Sequence, residues 1–260
     1  MARFFKAFFG FVSKYRIAQI VIGLCLAVMI VYTVVGVLAA RKRIAEMNGL
    51  YMPEKRMEGN DDQQVFETRK QNSFDLARLT LAKSDSVSML IDLVDSLVTL
   101  NLKGVTVHKA KIVNYSKSAL FDALHPDALV NMMSKPMQVK TYYSSIVKEP
   151  RIYKKAPKDT IEAATQELEQ DTMVAHLPSF YFLGLDNDIQ ISFMHEFEKE
   201  HSYFPLVKNQ KIGQFKAATD SLKKFALPEY LPYINIEMAK SDATTVFRAI
   251  PQHAYVAIRF

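Results

Sequence analysis

Cysteine is nearly absent: Cys25 is the single thiol in 260 residues, which excludes an intramolecular disulfide framework and any cysteine-rich zinc site. Glycine, with 8 residues, and proline, with 10, are too scarce for a fibrous or low-complexity chain. Gly104, Gly184 and Gly213 stand alone, so no glycine-rich loop is present to cradle a phosphate. The Gly-x-Ser-x-Gly nucleophile elbow is missing as well. Acidic residues are lacking from positions 1–43, which hold Arg3, Lys6, Lys14, Arg16, Arg41, Lys42 and Arg43. The other 217 residues carry 26 basic against 27 acidic groups. The net charge of +6 therefore belongs to the N-terminal stretch, and the basic footprint of a nucleic-acid-binding domain is not there. A hydrophobic content of 49% excludes a disordered chain.

What is present begins with Ile17–Ala40, twenty-four residues without a charge. At about 1.5 Å per residue such a helix spans a hydrocarbon core of about 30 Å. A cleaved signal peptide is the competing reading, since Lys14 and Arg16 precede the run and it ends Val37-Leu38-Ala39-Ala40. Signal cores are shorter, about 7–15 residues, and Arg41-Lys42-Arg43 follows directly, as at a membrane surface. Basic residues flank both sides almost equally, so charge alone barely orients the span. A signal anchor with the long C-terminal domain outside the cytoplasm is the expected topology. Phe4, Phe5, Phe8, Phe9 and Phe11, interleaved with Lys6 and Lys14, read as an interfacial segment in the headgroup layer. Gly23, Ala27 and Gly36 are small enough to admit a partner helix, without a strict GxxxG pattern.

Four regions are expected: an interfacial segment over 1–16, a transmembrane helix over 17–40, a linker and amphipathic helix over 41–85, and a β-rich extracytoplasmic domain over 86–260. An amphipathic helix is expected over Asp61–Lys83, with Asn72 or Ser73 as a break point. Residues 86–112 alternate in hydrophobicity around two turn signals, Val94-Asp95-Ser96 and Asn101-Leu102-Lys103-Gly104, which predicts three antiparallel strands with Gly104 at positive φ. His125-Pro126-Asp127 starts a short helix to Met133, and Pro136–Tyr153 is extended. Helices are predicted over Pro157–Asp171 and Gly213–Ala226. Phe180–Phe197 reads as a hairpin turning at Asp186-Asn187-Asp188. The ending reads as strand, short helix capped by Ser241-Asp242, and final strand over Tyr255-Val256-Ala257-Ile258.

Two stretches together resemble the L,D-transpeptidase (YkuD-like) domain of bacterial peptidoglycan cross-linking. Leu90-Ile91-Asp92-Leu93, Leu97-Val98-Thr99-Leu100 and Lys103-Gly104-Val105 are similar to that family's opening hairpin. Ile234-Asn235-Ile236-Glu237-Met238, Asp242-Ala243, Val246-Phe247 and Val256-Ala257-Ile258 follow the order of its ending. The resemblance implies an α+β, β-rich fold: one transmembrane helix, then a mixed β domain with short helices. It also implies an inactive relative. The family's nucleophile is a cysteine in a Ser-His-Gly-Cys segment, where this chain has Leu231-Pro232-Tyr233-Ile234. A thiolate beside a base is what that chemistry requires. His195 occupies a position similar to the family's upstream histidine, but an ordinary strand-end histidine is the default reading.

The remaining chemistry is thin. His195 and His201 bracket Glu196, Glu198 and Glu200, but a spacing of six places two helical rings about 240° apart, unlike the i, i+4 pair of a zinc protease. Asp186 and Asp188 read as turn residues. Tyr142, Tyr143, Tyr153, Tyr181 and Tyr203 could line a groove or pack in a core. No catalytic, cofactor-binding or metal-ligating residue is nominated, and no cofactor is implied. The expected protein is a non-catalytic binding or scaffolding subunit of a bacterial cell-envelope complex, a pseudoenzyme single-pass in the inner membrane with its C-terminal domain in the periplasm. Its partners would be membrane lipids and envelope proteins, with peptidoglycan as a further candidate and no nucleic acid. The alternative is an envelope hydrolase with a non-thiol site near His195. A third reading makes the transmembrane helix the main functional surface.

Overall fold

The computed structural model describes residues 16–52, 63–146, 148, 180–195 and 226–260. The chain divides into two compact units, the second comprising Met47–Ser202 and Leu231–Phe260. Helix α1, Arg16–Tyr51, is 36 residues long, about 54 Å at about 1.5 Å per residue. Its stretch from Ile20 is long and apolar enough to cross a membrane, with mean hydropathy 2.8 over an 18-residue window and none of that window buried. The helix continues past Arg43 through Ala45, Glu46 and Met47, good helix formers with no proline, and tolerates Asn48 and Gly49 in its last turn. The helix therefore outlasts the apolar run by about three turns.

The second unit is a barrel. Among the described residues its strands are β1 (Ser88–Asp92), β2 (Leu97–Leu102), β3 (Val105–Lys117), β4 (Met137–Ser144), β5 (Phe180–Leu185), β6 (Gln190–His195), β7 (Tyr233–Met238) and β8 (Tyr255–Arg259). They close in the order β1-β2-β3-β7-β6-β5-β4-β8. β1 with β8 and β6 with β7 are parallel; the other neighbours are antiparallel. Closure gives every strand two neighbours, although β3 pairs with β7 only from Ile112 onward and β4 with β8 only at Met137 and Gln138. Alternate residues fill the interior, as Ile234, Ile236 and Met238 of β7 and Tyr181, Leu183 and Leu185 of β5 illustrate.

The local signals explain the turns. Lys103 (φ 51°) and Gly104 (φ 79°) join β2 to β3, the two-residue turn whose positive φ angles match strand twist. A side chain on Gly104 would also meet Ala82 Cβ at 3.0 Å. At β1–β2, Asp92 Oδ1 accepts from the backbone N–H groups of Val94 and Asp95 at 3.0 Å each. Asp188 (φ 62°) lies in the β5–β6 turn, as the Asp-Asn-Asp signal predicts.

Among the described residues the unit has four shorter helices: α2 (Gln63–Ala82), α3 (Leu120–Ala123), α4 (Pro126–Met133) and α5 (Lys240–Ala249). α2 buries Ser73, Phe74, Ala77 and Leu81 and packs with α4 against β8, so Val256, Ala257 and Ile258 of β8 are buried on both faces. The expected break at Asn72 or Ser73 does not occur, because Ser73 faces this contact and is buried. Arg69 of α2 pairs with the buried Asp127 of α4. Pro126 stands in the first turn of α4, and His125 Nδ1 caps it by accepting from Asp127 N at 3.2 Å. Phe121 of α3 stacks on Phe260, centroids 4.6 Å apart. Ser241 and Asp242 do not cap α5; Ala239 holds that position with no side-chain bond. The helices expected over Pro157–Asp171 and Gly213–Ala226, apart from Ala226 itself, lie outside the described residues, as do residues 1–15.

Candidate functional site

The barrel has two distinct ends. Gln190 of β6 pairs with Tyr233 of β7, and Ile234 pairs with Lys117 of β3. The β5–β6 turn therefore lies at the Lys117 end of β3, opposite the β2–β3 hairpin tip. The last turn of α1, Met47–Tyr51, belongs to the barrel unit and packs at its β5–β6 end. Asn48 Oδ1 accepts from His125 N at 3.0 Å, and the Tyr51 carbonyl accepts from Asn131 Nδ2 at 2.8 Å. Asn187 Nδ2, in the β5–β6 turn, donates to the Tyr51 hydroxyl at 3.3 Å. Met47 is 1% exposed, so the last turn of α1 is part of the folded domain.

The hairpin end is crossed by α5, which links the end of β7 to the start of β8 and packs on β3 and β6. Its Ala243, Val246 and Phe247 are buried. Phe247 lies against Tyr181, centroids 4.9 Å apart, and Tyr181 stacks on Phe193 at 4.5 Å. The Tyr181 hydroxyl is buried without a hydrogen-bond partner among the described residues, and burial pushes its pKa well up. Lys148 lies 5.1 Å from the Phe247 ring centre and 5.6 Å from that of Tyr142. Its ammonium donates to the Ile250 carbonyl at the C-terminal end of α5, where the helix dipole favours a cation. Burial lowers the Lys148 pKa. The lysine thus takes up the Phe247 and Tyr142 rings and the Ile250 carbonyl. His108 Nε2 of β3 is 3.8 Å from Asp242 Oδ1 of α5, too far for a hydrogen bond.

The residues weighed for chemistry are scattered. His195 ends β6 in register with Met238; Glu196 and His201 lie outside the described residues, as do Tyr153 and Tyr203. Asp186 and Asp188 are turn residues. Asp92 shapes its turn and pairs with Arg259 Nη1 at 3.0 Å, a structural role for the acid of the opening hairpin. At the place corresponding to the resembled family's nucleophile, the Pro232 carbonyl accepts from Gln190 N at 2.8 Å and Ile234 is in the core. Tyr142 and Tyr143 are 43% and 62% exposed while Tyr181 is buried, so they do not share one groove. Cys25 is exposed on α1. Among the described residues no three His, Cys, Asp or Glu side chains converge as a metal site. Tyr181 packs in the core, one of the two placements expected of it, whereas Lys148 is a perturbed group that sequence reasoning missed; no periodicity reveals whether a core phenol finds a hydrogen-bond partner.

The chain matches no family model, no curated protein and no solved structure.

Proposed function

We propose that the protein is a membrane-anchored, non-catalytic binding or scaffolding subunit of a bacterial cell-envelope complex, its periplasmic domain a catalytically inactive relative of the L,D-transpeptidases. The observation that carries this reading is the continuity of α1. The apolar stretch and the domain's own first turn, Met47–Tyr51, belong to one unbroken helix, and that turn is held by Asn48 and Tyr51 hydrogen bonds. A cleavage site at Val37–Ala40 would lie inside this helix, so a retained anchor fits better than a removable leader. A mixed barrel with α2 and α4 on one flank is compatible with the resembled fold class, and the only cysteine, on α1, leaves no thiol in the domain to act as nucleophile.

Carbonate extraction and intact-mass measurement of the full-length protein test the anchor. The reading expects the uncleaved chain in the membrane pellet, with the barrel reached by protease only after the outer membrane is permeabilised. A mature chain beginning after Ala40, or a barrel protected with the cytoplasm, would overturn it.

A further inference from the structure

A backbone N–H only donates, so a ring nitrogen that accepts from it carries no proton. His125 Nδ1 accepts from Asp127 N at 3.2 Å, which fixes the imidazole as neutral with its hydrogen on Nε2. Asp127 N stands in the first turn of α4, where the helix itself offers it no acceptor. The Asp127 carboxylate has two neighbours. Its Oδ1 is engaged by Arg69 of α2, and its Oδ2 lies 3.8 Å from the same His125 Nδ1, beyond hydrogen-bond reach as the ring stands. The His125 side chain is 40% exposed, so a proton reaches it directly from water. Its backbone N–H donates to Asn48 Oδ1 in the Met47–Tyr51 turn. The other charged groups of the surrounding elements are paired: Glu67 with Lys70 and Asp75 with Arg78 on α2, Asp122 of α3 with Lys117, and Arg259 of β8 with Asp92. Met47–Tyr51 carries no charge, and its Tyr51 hydroxyl accepts from Asn187. Among the described residues this leaves Asp127, with Arg69 on its other oxygen, as the charge beside the ring.

We propose that His125 is a proton-operated cap. In its neutral form the ring holds the Asp127 amide. Once protonated, Nδ1 becomes a donor and no longer faces that N–H; the ring turns to Asp127 Oδ2, and the amide is released to water. The carboxylate then bridges His125 and Arg69, so the first turn of α4 and its seam with α2 rearrange on uptake of one proton. Histidine is the side chain suited to such a change between about pH 5 and about pH 8. The device is independent of the subunit reading, since every group it uses lies in the barrel unit.

The test is NMR of the full-length chain in detergent, isotope-labelled at histidine and aspartate, titrated from about pH 8 to about pH 5. At the upper end His125 should populate one tautomer, with Nδ1 bare. On acidification the exchange protection factor of the Asp127 amide should fall at least threefold, with the midpoint of the His125 ring titration. His125→Asn supplies a capping oxygen that does not titrate; it should hold the Asp127 amide protected across the whole range with an unchanged melting curve. A mixture of tautomers at the upper end, an Asp127 protection factor that stays flat while the ring titrates, or an equal loss of protection in His125→Asn would overturn the proposal. The first two are read on the unsubstituted chain, so they decide the matter even if the variant does not fold.

Discussion

The Tyr181 hydroxyl lies inside the barrel with no hydrogen-bond partner among the described residues, its ring held between Phe193 and Phe247. A buried polar group left unpaired costs about 1–3 kcal/mol, so Tyr181→Phe should stabilise the domain by about 1 kcal/mol in urea unfolding. The pH dependence follows from two shifts of opposite effect. Tyr181 is raised above 10.0 in the folded state; the unfolded phenol ionises first, and the native protein loses stability as pH rises past 10. Lys148 is lowered below 10.5; the folded amine sheds its proton first, so stability rises over the window below 10.5. Tyr181→Phe should remove the loss above pH 10, and Lys148→Met should remove the gain below it. An unchanged alkaline profile in Tyr181→Phe would place the phenol in a solvated or bonded setting. Tyr181 was legible as a tyrosine that packs in a core or lines a groove, but its unpaired hydroxyl was not, and Lys148 was not legible at all. Tyr181 sits in an aromatic strand whose two faces look alike in sequence, and Lys148 follows a strand with nothing local to direct it to α5. Gly104, by contrast, was legible, because a Lys-Gly pair between alternating strands admits few turns.

Elements show the same division between local and distant causes. The three-strand opening, the Asp186-Asn187-Asp188 hairpin and the strand–helix–strand ending follow from alternation and turn chemistry within a few residues. The α2 break and the Ser241-Asp242 cap were misread because tertiary contact decides both: Ser73 is shielded by packing, and α5 begins directly from β7 at Ala239. The seam between α2 and α4 depends on Arg69 and Asp127, whose side chains are 30% and 8% exposed. Removing the carboxylate charge leaves a partly buried guanidinium without its partner and weakens the first turn of α4. Asp127→Asn should cost about 2 kcal/mol and melt α2 and α4 protection together in hydrogen exchange. A cost near zero would mean that apolar contacts alone hold the seam.

At the scale of the whole molecule, barrel closure was the least legible feature. It depends on the parallel pairings β1–β8 and β6–β7, between segments far apart in the chain, and no short-range pattern encodes such a partner. The long apolar helix was plain, because an uncharged run of twenty-four residues predicts one long enough to cross a membrane, although its continuation to Tyr51 was not. Absence of a family match leaves the resemblance to rest on its own residues, and the subunit reading on the unbroken helix α1 whose last turn is held by Asn48 and Tyr51. The most direct test of that reading is purification of the tagged full-length protein from native membranes in mild detergent, with mass spectrometry and sizing of what remains bound. The account predicts one or more envelope proteins in fixed stoichiometry with this chain, retained through sizing. A lone monomer without bound protein would contradict it, and hydrolytic turnover lost on His195→Ala would put an enzyme in its place.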